Sequence, residues 1–366
     1  MANRGRIAAL PDFPWDSLAP YVATARAHAD GVVDLSVGTP VDPVPAVVQA
    51  ALAATTDTPG YPATYGTPAL RDAAAAWLRR RHGVAGADPA NVLPIIGAKE
   101  LVAWLPTLLG LGPGDLVGIP ALAYPTYDVG ARLAGATPVV FDAALSPPLA
   151  LLWVNSPANP HGEVLDVDQL RALVTWARER GTILVSDECY LEFGWSGASP
   201  LSVLHPDVCG DSHAGLLAVH SLSKRSNLAG YRAGFVTGDG ELIADLLEVR
   251  KHAGMIVPAP VQAAMVAALG DDAHVDVQRA RYLARRAILL PALDSAGFSV
   301  SHSEGGLYLW ATRDEDCWTT IGRLAELGIL AGPGIFYGEA GRRHVRIALT
   351  ATDERVAEAA RRLTSA

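Results

Sequence analysis

The sequence predicts an α/β fold in which a mostly parallel sheet is flanked by helices and joined to a smaller α+β domain. Three features predict it. Short apolar stretches recur along most of the chain, helical patterns separate them, and the C-terminal part combines long helices with strand-like pieces. Strands that alternate with helices are typical of parallel sheets. Because the chain has 366 residues, 50% of them hydrophobic, we expect two domains or one large elaborated domain.

Five segments predict buried strands that end in polar or glycine residues: 91–100, 115–127, 149–162, 181–190 and 215–224. In the first of them, the strand turns at Gly97 into a helix. Residues 167–181 carry a helical pattern closed by Gly181, a common residue at helix ends. The segment GLGPGD (110–115) resembles a nucleotide-binding glycine loop. It precedes a strand and lacks the GxGxxG spacing, however, so we predict a helix-to-strand turn.

The C-terminal part predicts a second structural unit. Residues 262–297 indicate a long helix, residues 306–312 and 343–350 indicate strands, and residues 352–364 indicate a final helix. We expect the first forty residues to join this unit. The prediction is therefore a larger domain over residues 41–260 and a smaller domain formed by residues 1–40 and 261–366.

Composition excludes several classes of partner. The formal charge of −9 disfavours nucleic acids and anionic membrane surfaces. No apolar stretch is long enough to span a membrane, and the N-terminal residues lack the apolar core of a secretory signal. The cysteines Cys189, Cys209 and Cys317 show neither a metal-ligand spacing nor a disulfide pattern. We expect a cytoplasmic protein without a metal site.

Lysine is rare in this chain, which draws attention to Lys224. The sequence contains 29 basic residues, and only Lys99, Lys224 and Lys251 among them are lysines. An amine can lose its proton and attack a carbonyl, whereas a guanidinium cannot. Lys224 lies in the hydroxyl-rich segment SLSKRSNLAGYRAGF (221–235). It is a candidate for covalent amine chemistry, and a solvated loop lysine is the alternative.

Polar side chains stand at the carboxyl ends of the predicted strands, where open α/β sheets bind ligands. We expect them to converge on one crevice: Gly97 to Glu100, Tyr124, Asn159, Asp187, Tyr190, Ser221 and Lys224. This convergence is more informative than any single residue in it.

The crevice contains the parts of two anion sites and one acidic site. Ser221, Ser223 and Arg232 suit phosphate oxygens, because hydroxyls and a guanidinium fork donate to them. The turn from Gly97 to Lys99 offers free N–H groups at a helix N-terminus. Asp187 could face a protonated ring nitrogen, although capping of the next helix is the common role of such a residue. Together these parts match the requirements of pyridoxal phosphate.

The sequence resembles the fold-type I, pyridoxal-phosphate-dependent aminotransferases of class I and II. The resemblance covers nearly the whole chain and rests on an ordered set of motifs: LSVGTP (35–40), GYPATYGTPALRDAAAAWL (60–78), AYPTY, NSPANPHG, SDECY, SLSKRSNLAGYRAGF and RHVRIALT. In finer detail the sequence, including the segments GAKELVAWLPTLLGLG and RKHAGMIVPAPVQAAMVAAL, is similar to the N-succinyl-diaminopimelate aminotransferases of lysine biosynthesis. The resemblance implies that the larger domain binds the cofactor and that the smaller domain closes over the substrate.

The resemblance implies roles around the cofactor ring. Lys224 bonds covalently to the cofactor and afterwards moves a proton at the substrate α-carbon. Asp187 keeps the pyridine nitrogen protonated, and Asn159 and Tyr190 hydrogen-bond the phenolic oxygen. Tyr124 stacks on the ring. Lys224, Asp187 and Tyr190 are the expected catalytic residues.

The same resemblance implies the phosphate contacts, which come from two segments: Ser221, Ser223 and Arg232 in one, and Gly97, Ala98 and Lys99 in the other. The family commonly has a serine or threonine in the second segment. This chain has Ala98 followed by Lys99, so part of the hydroxyl contact must come from elsewhere, and Lys99 offers charge instead.

The resemblance also implies how substrate and a second subunit are engaged. Arg346 would grip the substrate α-carboxylate, Gly38 would close over the substrate, and Asn159 would line the same site. A surface arginine on an edge strand is the alternative for Arg346. Tyr61 would reach the phosphate of a neighbouring subunit, which makes a homodimer with shared sites the expected assembly. For a distal carboxylate, Arg225 and Lys251 are the candidates.

We therefore predict a transaminase that takes an amino group from glutamate and passes it to a 2-oxo acid, with N-succinyl-2-amino-6-oxopimelate as the predicted acceptor. Another amino-acid aminotransferase or a β-C–S lyase on the same scaffold is the alternative, since a scaffold does not determine the reaction. A cofactor-sensing domain of a transcription regulator would need an attached basic DNA-binding domain. A dinucleotide-binding protein would need the missing glycine fingerprint.

Overall fold

The structure, a computed structural model, describes residues 10–195, 197 and 199–365. Its larger sheet has seven strands in the order β2-β8-β7-β6-β5-β3-β4. Their bounds are β2 Val92–Ile96, β3 Leu116–Ile119, β4 Thr137–Val140, β5 Leu151–Asn155, β6 Ile183–Asp187, β7 Leu216–Ser221 and β8 Ala233–Gly238. The five predicted strands are all present, and the α/β fold with a mostly parallel sheet is confirmed.

One strand of this sheet runs against its neighbours. The strands from β4 to β7 are all parallel, whereas β8 is antiparallel to both β7 and β2. The sequence did not predict β4 or β8. The reversal matters for function, because β8 begins at the edge of the sheet where β2 and β7 end.

The smaller sheets are built from the N-terminal and C-terminal parts of the chain. One has four antiparallel strands in the order β12-β13-β10-β9, and the other is a parallel pair of β1 and β11. The bounds are β1 Val33–Asp34, β9 Ser299–Ser301, β10 Tyr308–Thr312, β11 Ile329–Leu330, β12 Gly332–Pro333 and β13 Val345–Ala348. β1, which lies within the first forty residues, thus pairs with β11 of the C-terminal part of the chain.

Helices cover both faces of the larger sheet and one side of the smaller ones. Their bounds are Ala19–Arg26, Ala46–Ala54, Pro68–His82, Ala98–Leu108, Thr126–Ala134, Val167–Arg180, Pro206–Cys209, Leu222–Arg225, Gly240–Ala253, Ala259–Gly270, Ala273–Ser295, Cys317–Glu326 and Asp353–Thr364. Short 3₁₀ helices span Pro14–Leu18, Pro89–Asn91, Ala229–Tyr231, Gly334–Tyr337 and Glu339–Gly341. Within the described part of the chain, no helix has the length and apolar character needed to cross a membrane.

Local sequence signals explain where the predicted helices begin and end. Asp166 and Gln169 form a capping box at the start of the helix Val167–Arg180, and Gly181 closes it with φ 63°. The segment 110–115 is the predicted turn between the helix Ala98–Leu108 and β3. The single helix predicted over 262–297 is wrong. Asp271 is extended and caps the N–H of Ala273 with its side chain, and this divides the segment into two helices.

Alternating side chains of the buried strands supply two separate cores. In β5, Leu152 and Val154 face one core, while Leu151 and Trp153 face the other. A third core joins the smaller sheets to residues that follow β6, such as Phe193. The helix Ala259–Gly270 packs into the core of the larger sheet through Met265. We therefore propose a domain boundary near residue 271, in place of the predicted division at 260.

Candidate active site

The carboxyl ends of three neighbouring strands bring the predicted polar residues together. Asn155 and Asp187 are paired at the ends of β5 and β6, and Asp187 is paired with Val219 of β7. Ser221 ends β7 two residues later, and the helix Leu222–Arg225, which contains Lys224, follows immediately. Parallel strands end at the same edge of a sheet, so the crevice predicted from the sequence forms here.

The two predicted phosphate segments meet because β8 is antiparallel. Ala233, the first residue of β8, pairs with Ile96 at the end of β2, and Gly234 pairs with Ser221 at the end of β7. Gly97 and Arg232 therefore lie next to each other. A Cβ on Gly97 would overlap the Arg232 guanidinium, and Gly97 has φ 75°, a backbone conformation that favours glycine.

Backbone donors and a guanidinium converge in this cradle. Gly97 caps the helix Ala98–Leu108 with no side-chain acceptor, so the first N–H groups, of Ala98 and Lys99, point outward without intrahelical partners. Arg232 is exposed and adopts a left-handed backbone, with φ 58°. These features fit an anion such as a phosphate.

The serines beside the cradle are both buried. The Oγ of Ser221 accepts a hydrogen bond from the N–H of Ser223 at 3.1 Å, which holds the turn that leads into the lysine-bearing helix. Ser221 is thus the last residue of β7, and Ser223 precedes Lys224 in the helix that follows.

Asp187 is a buried carboxylate that accepts two hydrogen bonds. It accepts a hydrogen bond from the hydroxyl of Tyr127 at 2.8 Å and one from the N–H of Cys189 at 3.2 Å. Burial raises the pKa of Asp187, and these hydrogen bonds only partly oppose the rise. No ion pair among the described residues involves it. A buried carboxylate in this state fits a protonated ring nitrogen, and the alternative of a helix cap is wrong because a turn follows.

The aromatic support of this carboxylate was missed in the sequence. Tyr127 is fully buried and stacks on Trp153 with ring centroids 4.8 Å apart. Tyr124, the predicted stacking residue, meets Tyr127 edge to face at 5.8 Å, and burial raises the pKa of Tyr124 to about 12. The motif AYPTY contains both tyrosines, with Tyr124 before the helix Thr126–Ala134 and Tyr127 in its first turn, but nothing in the motif distinguishes Tyr127 from a core residue.

Lys224 is half-buried, and its Nζ has no hydrogen bond or ion pair with the described residues. Its charge helps to lower the pKa of the nearby Tyr308 hydroxyl. The other two lysines have different surroundings. Lys251 is paired with Glu248 at 2.5 Å, and the Nζ of Lys99 lies about equally far from the rings of Phe13 and Tyr124.

Arg346 is 3% exposed and lies on β13, an inner strand of the four-stranded sheet. The alternative of a surface arginine on an edge strand is therefore wrong. Its Nη1 donates to Oδ1 of Asn159 at 2.9 Å, and its Nη2 donates to the carbonyl of Ser36 at 2.7 Å. The guanidinium carbon lies 3.9 Å from the ring centroid of Tyr308 and 5.0 Å from that of Tyr337.

Asn159 connects the two halves of the site. Its Oδ1 accepts from Arg346, while its Nδ2 has no hydrogen bond with the described residues and can donate to a cofactor oxygen. Its backbone N–H donates to Oδ1 of Asn155 at 2.7 Å, and Asn155 in turn donates to the carbonyl of Asp187 at 2.8 Å. Asn155 is a positioning residue that the sequence reasoning missed.

Tyr308 is a third residue of the crevice that the sequence reasoning missed. Its hydroxyl shares a hydrogen bond with the Tyr190 hydroxyl, with the oxygens 3.1 Å apart, and it occupies the space where a Cβ on Gly38 would stand. Burial by itself would raise the pKa of Tyr308. The charges of Arg346 and Lys224 and the hydrogen bond with Tyr190 together outweigh burial, so the pKa of Tyr308 lies below its ordinary value. The strand GLYLWAT was predicted, but nothing in it distinguishes Tyr308 from a core residue.

Three predicted residues lie away from this crevice. Tyr61 is 99% exposed and forms no hydrogen bond with the described residues. Arg225 is buried on the far side of its helix, where its Nε lies 3.4 Å from Glu192 and its guanidinium stacks over Trp77. Lys251 is exposed on the helix Gly240–Ala253. Arg225 is therefore engaged by Glu192 and Trp77 and does not provide the distal-carboxylate contact, whereas Lys251 is paired with Glu248 on the surface.

Known proteins resemble this chain over nearly its whole length. A family model described as aminotransferase class I and II matches residues 30–363. The chain is 64% identical over 358 residues to the 4-dedimethylamino-4-oxo-anhydrotetracycline transaminase OxyQ of Streptomyces rimosus, covering 97% of this chain and 99% of that protein. It is also 64% identical to the probable aminotransferase Rv1178 of Mycobacterium tuberculosis, covering 99% and 87%. The solved structure of a probable N-succinyldiaminopimelate aminotransferase from Thermus thermophilus matches with a TM-score of 0.87 and 30% identity, covering 96% and 99%.

Proposed function

The chain belongs to the aminotransferases of class I and II, and from this membership we propose that it transfers an amino group between glutamate and N-succinyl-2-amino-6-oxopimelate. The fold-type I architecture and the use of pyridoxal phosphate follow from the family. The substrates and the role of each residue are our proposal. The observation that carries it is Arg346, a buried and immobilised guanidinium with donors left for a carboxylate.

The residues of the crevice suit pyridoxal phosphate. When bound, this cofactor supplies an aldehyde that bonds to amines and a ring that withdraws electrons from the substrate α-carbon. Ser221, Ser223, Arg232 and the backbone N–H groups of Ala98 and Lys99 would hold its phosphate. Asp187 would neutralise the protonated ring nitrogen, Tyr124 would stack on the ring, and Asn159 and Tyr190 would donate to its phenolic oxygen.

Proton transfer falls to Lys224 in this proposal. Its amine has no competing partner among the described residues, so it is available to take a proton from the substrate α-carbon. The buried Asp187 would stabilise positive charge on the ring nitrogen of the bound cofactor, and its low-dielectric surroundings would strengthen that interaction. Tyr308, whose hydroxyl shares a hydrogen bond with that of Tyr190, is buried in the same crevice.

The substrate carboxylate is the group that Arg346 suits. The Nε of Arg346 is buried without a hydrogen-bond partner, and each Nη retains one further N–H. Two flanking tyrosine rings prevent the guanidinium from rotating. A carboxylate beside the reacting carbon can therefore form a bidentate pair with the N–H groups of Arg346 that remain without partners. N-succinyl-2-amino-6-oxopimelate has such a carboxylate next to its reacting carbonyl.

Arg346→Ala should reduce kcat/KM for every α-carboxylate substrate by about 30- to 1000-fold, because a charge-assisted bidentate contact contributes roughly 2–4 kcal/mol. Steady-state kinetics with glutamate and with N-succinyl-diaminopimelate measures this loss. Arg342→Ala is the matched control, because Arg342 is exposed and pairs with Glu339 on the protein surface. A defect confined to one of the two substrates would make Arg346 a reader of the distal group, and unchanged constants for both would remove it from the site.

A second acceptor is the alternative to compare directly. The 64% identity to a 4-dedimethylamino-4-oxo-anhydrotetracycline transaminase over nearly the whole chain favours a ketone of that type. The equal identity to the mycobacterial relative does not distinguish the two acceptors. The Arg346 geometry favours the acceptor with a carboxylate beside its carbonyl. The proposed activity is accordingly that of a succinyldiaminopimelate transaminase.

The test of this proposal follows the decay of the cofactor absorbance in single half-reactions. The aminated enzyme, prepared with glutamate, is mixed with N-succinyl-2-amino-6-oxopimelate, with 4-dedimethylamino-4-oxo-anhydrotetracycline and with 2-oxoglutarate as the reference. We expect the first to react with a kcat/KM at least comparable to that of 2-oxoglutarate. A larger kcat/KM for the tetracycline ketone would show that this ketone, and not N-succinyl-2-amino-6-oxopimelate, is the preferred acceptor.

We further propose a cytoplasmic homodimer in which the smaller domain closes over the substrate and each subunit completes the site of the other. The nearly complete exposure of Tyr61 supports this, since a large aromatic side chain with a hydroxyl suits a partner's phosphate site. Tyr65, also exposed, lies on the same segment.

Hybrid dimers test the shared site. Lys224→Ala and Tyr61→Phe parents should each be impaired, while a mixture with proven subunit exchange should regain activity, because one of its two sites contains both native residues. Steady-state assays of the mixture against each parent measure the recovery. No recovery despite exchange, shown by native mass spectrometry of tagged subunits, would contradict a shared site.

A further inference from the structure

The segment of residues 36–43, which we call the strap, crosses the substrate side of the site. The carbonyl of Ser36 accepts a hydrogen bond from Arg346 at 2.7 Å, and the carbonyl of Val37 accepts one from the hydroxyl of Thr350 at 3.1 Å. Gly38 lies directly against the Tyr308 hydroxyl. The strap therefore contacts both Arg346 and Tyr308, so its position affects two sides of the substrate site.

The strap has no regular secondary structure, so side chains must hold it in place. Asp42 is its only charged residue. Arg285, which is 2% exposed, donates to both oxygens of Asp42, with Nη2 to Oδ1 at 2.6 Å and Nη1 to Oδ2 at 2.9 Å. Bidentate pairs of this kind are strong and directional, and burial shields this one from screening by salt.

Arg285 is itself fixed from the other side. Its Nε donates to Asp353 at 2.7 Å, and its Nη1 lies 3.4 Å from the carbonyl of Leu349, just beyond the strand that carries Arg346. Arg285 belongs to the helix Ala273–Ser295. The ion pair thus ties the strap to the helix and to the chain that follows Arg346.

A second connection runs from the same carboxylate to the lysine-bearing loop. Gln278 donates through Nε2 to Oδ2 of Asp42 at 2.7 Å. Asn227, three residues after Lys224, donates through Nδ2 to Oε1 of Gln278 at 2.9 Å and to the carbonyl of Pro43 at 3.1 Å. Asn227 and Gln278 are both buried. The Asp42 carboxylate therefore connects the strap, through Arg285, to the chain that follows Arg346 and, through Gln278, to the loop that follows Lys224.

We propose that Asp42 is a positioning residue for the reaction: held by Arg285 and Gln278, it keeps the strap against Arg346 and aligns both with the loop of Lys224. The proposal rests on the proposed role of Arg346 in binding the substrate carboxylate. Asp42 does not touch the substrate. Its effect is exerted through Ser36, Gly38 and Arg346, so it acts on substrate affinity more than on the chemical step.

Asp42→Asn removes the charge and one bidentate contact while keeping the size of the side chain. We expect KM for glutamate to rise about 10- to 100-fold with kcat changed less than about threefold, since a displaced binding group weakens ground-state and transition-state binding together. Arg281→Gln is the matched control. Arg281 lies 3.7 Å from the same carboxylate, but its side chain is 45% exposed, so its loss should leave KM unchanged.

Amide hydrogen exchange supplies a readout that does not depend on activity. Exchange across residues 36–43 should accelerate in Asp42→Asn and remain at the wild-type rate in Arg281→Gln. Gln278→Met, which keeps the Arg285 pair, should give a smaller increase in both exchange and KM, and it serves if Asp42→Asn fails to fold. Unchanged exchange in the strap together with an unchanged KM would overturn the proposal. A wild-type enzyme that does not use glutamate would instead count against the proposed function, and the exchange experiment would still test the strap.

Discussion

Lys224→Ala is expected to abolish transamination and to remove the covalent attachment of pyridoxal phosphate to the protein. The Lys224 amine forms no hydrogen bond or ion pair with the described residues, and it follows directly on the strand end that carries Ser221. It would be lost both as the group that bonds to the cofactor and as the group that moves the α-proton. Proton transfer by a positioned side chain alone contributes about 10²- to 10⁴-fold to the rate. We therefore expect no measurable turnover.

Reduction with borohydride followed by peptide mass spectrometry checks the attachment directly. In the wild-type protein the reduced cofactor should be found on the peptide that contains Lys224. Lys251→Ala is the matched control, because Lys251 is exposed and paired with Glu248, and it should retain both activity and the labelled peptide. Labelling of Lys99 or Lys251 in the wild-type protein would show that the assignment of Lys224 is wrong.

Asp187→Asn is expected to retain much of the cofactor binding and to lose most of the rate. The phosphate cradle supplies affinity and is unchanged by this substitution. The carboxylate acts on charge that develops at the ring during removal of the α-proton, and such interactions contribute roughly 3–4 kcal/mol, or about 100- to 1000-fold in kcat. Rapid-mixing kinetics with glutamate measures the step itself. A near-native kcat would mean that Asp187 has only a structural role.

The same substitution should stabilise the cofactor-free protein at neutral pH. Burial raises the pKa of Asp187, so the folded protein disfavours its ionised form, and above that raised pKa folding carries a cost that asparagine removes. As the pH falls through the raised pKa, the carboxyl becomes protonated and the cost disappears. The Tm difference between Asp187→Asn and wild type should therefore be positive near pH 7 and shrink on acidification.

Thermal unfolding of the two cofactor-free proteins across this pH range measures the difference. Asp245→Asn is a control, because Asp245 is exposed on the helix Gly240–Ala253 and its loss should shift Tm little at any pH. A lower Tm for Asp187→Asn at neutral pH would indicate that the hydrogen bonds from Tyr127 and Cys189 outweigh the cost of the buried charge.

Local patterns were sufficient to predict the elements that carry the site. The apolar stretches that end at Asp187 and Ser221 are buried strands, as predicted, and the turn at Gly97 does enter a helix. These features follow from periodicity, burial and glycine conformation, all of which act over a few residues. The edge of the sheet where the site forms could be predicted for the same reason, since parallel strands present their carboxyl ends together.

Which side chain faces the crevice was determined by the sequence only in part. The rarity of lysine identified Lys224, yet nothing in the neighbouring residues showed that Arg225 turns away to Glu192. Two adjacent residues on a helix point about 100° apart, and the direction of each depends on how the helix packs. Tyr127 and Tyr308 were missed because a buried tyrosine in a core and one in a site have the same local pattern.

The sequence by itself determined the fold class, the rare lysine and the order of polar residues at the strand ends. Only the tertiary structure decided that β8 runs antiparallel and brings Arg232 to Gly97, that Arg346 is buried between two tyrosine rings, and that Asp42 pairs with Arg285. The physical reason is the distance along the chain. Asp42 and Arg285 are separated by 243 residues, and such contacts arise from the packing of whole helices and sheets, which local hydrophobic periodicity does not encode.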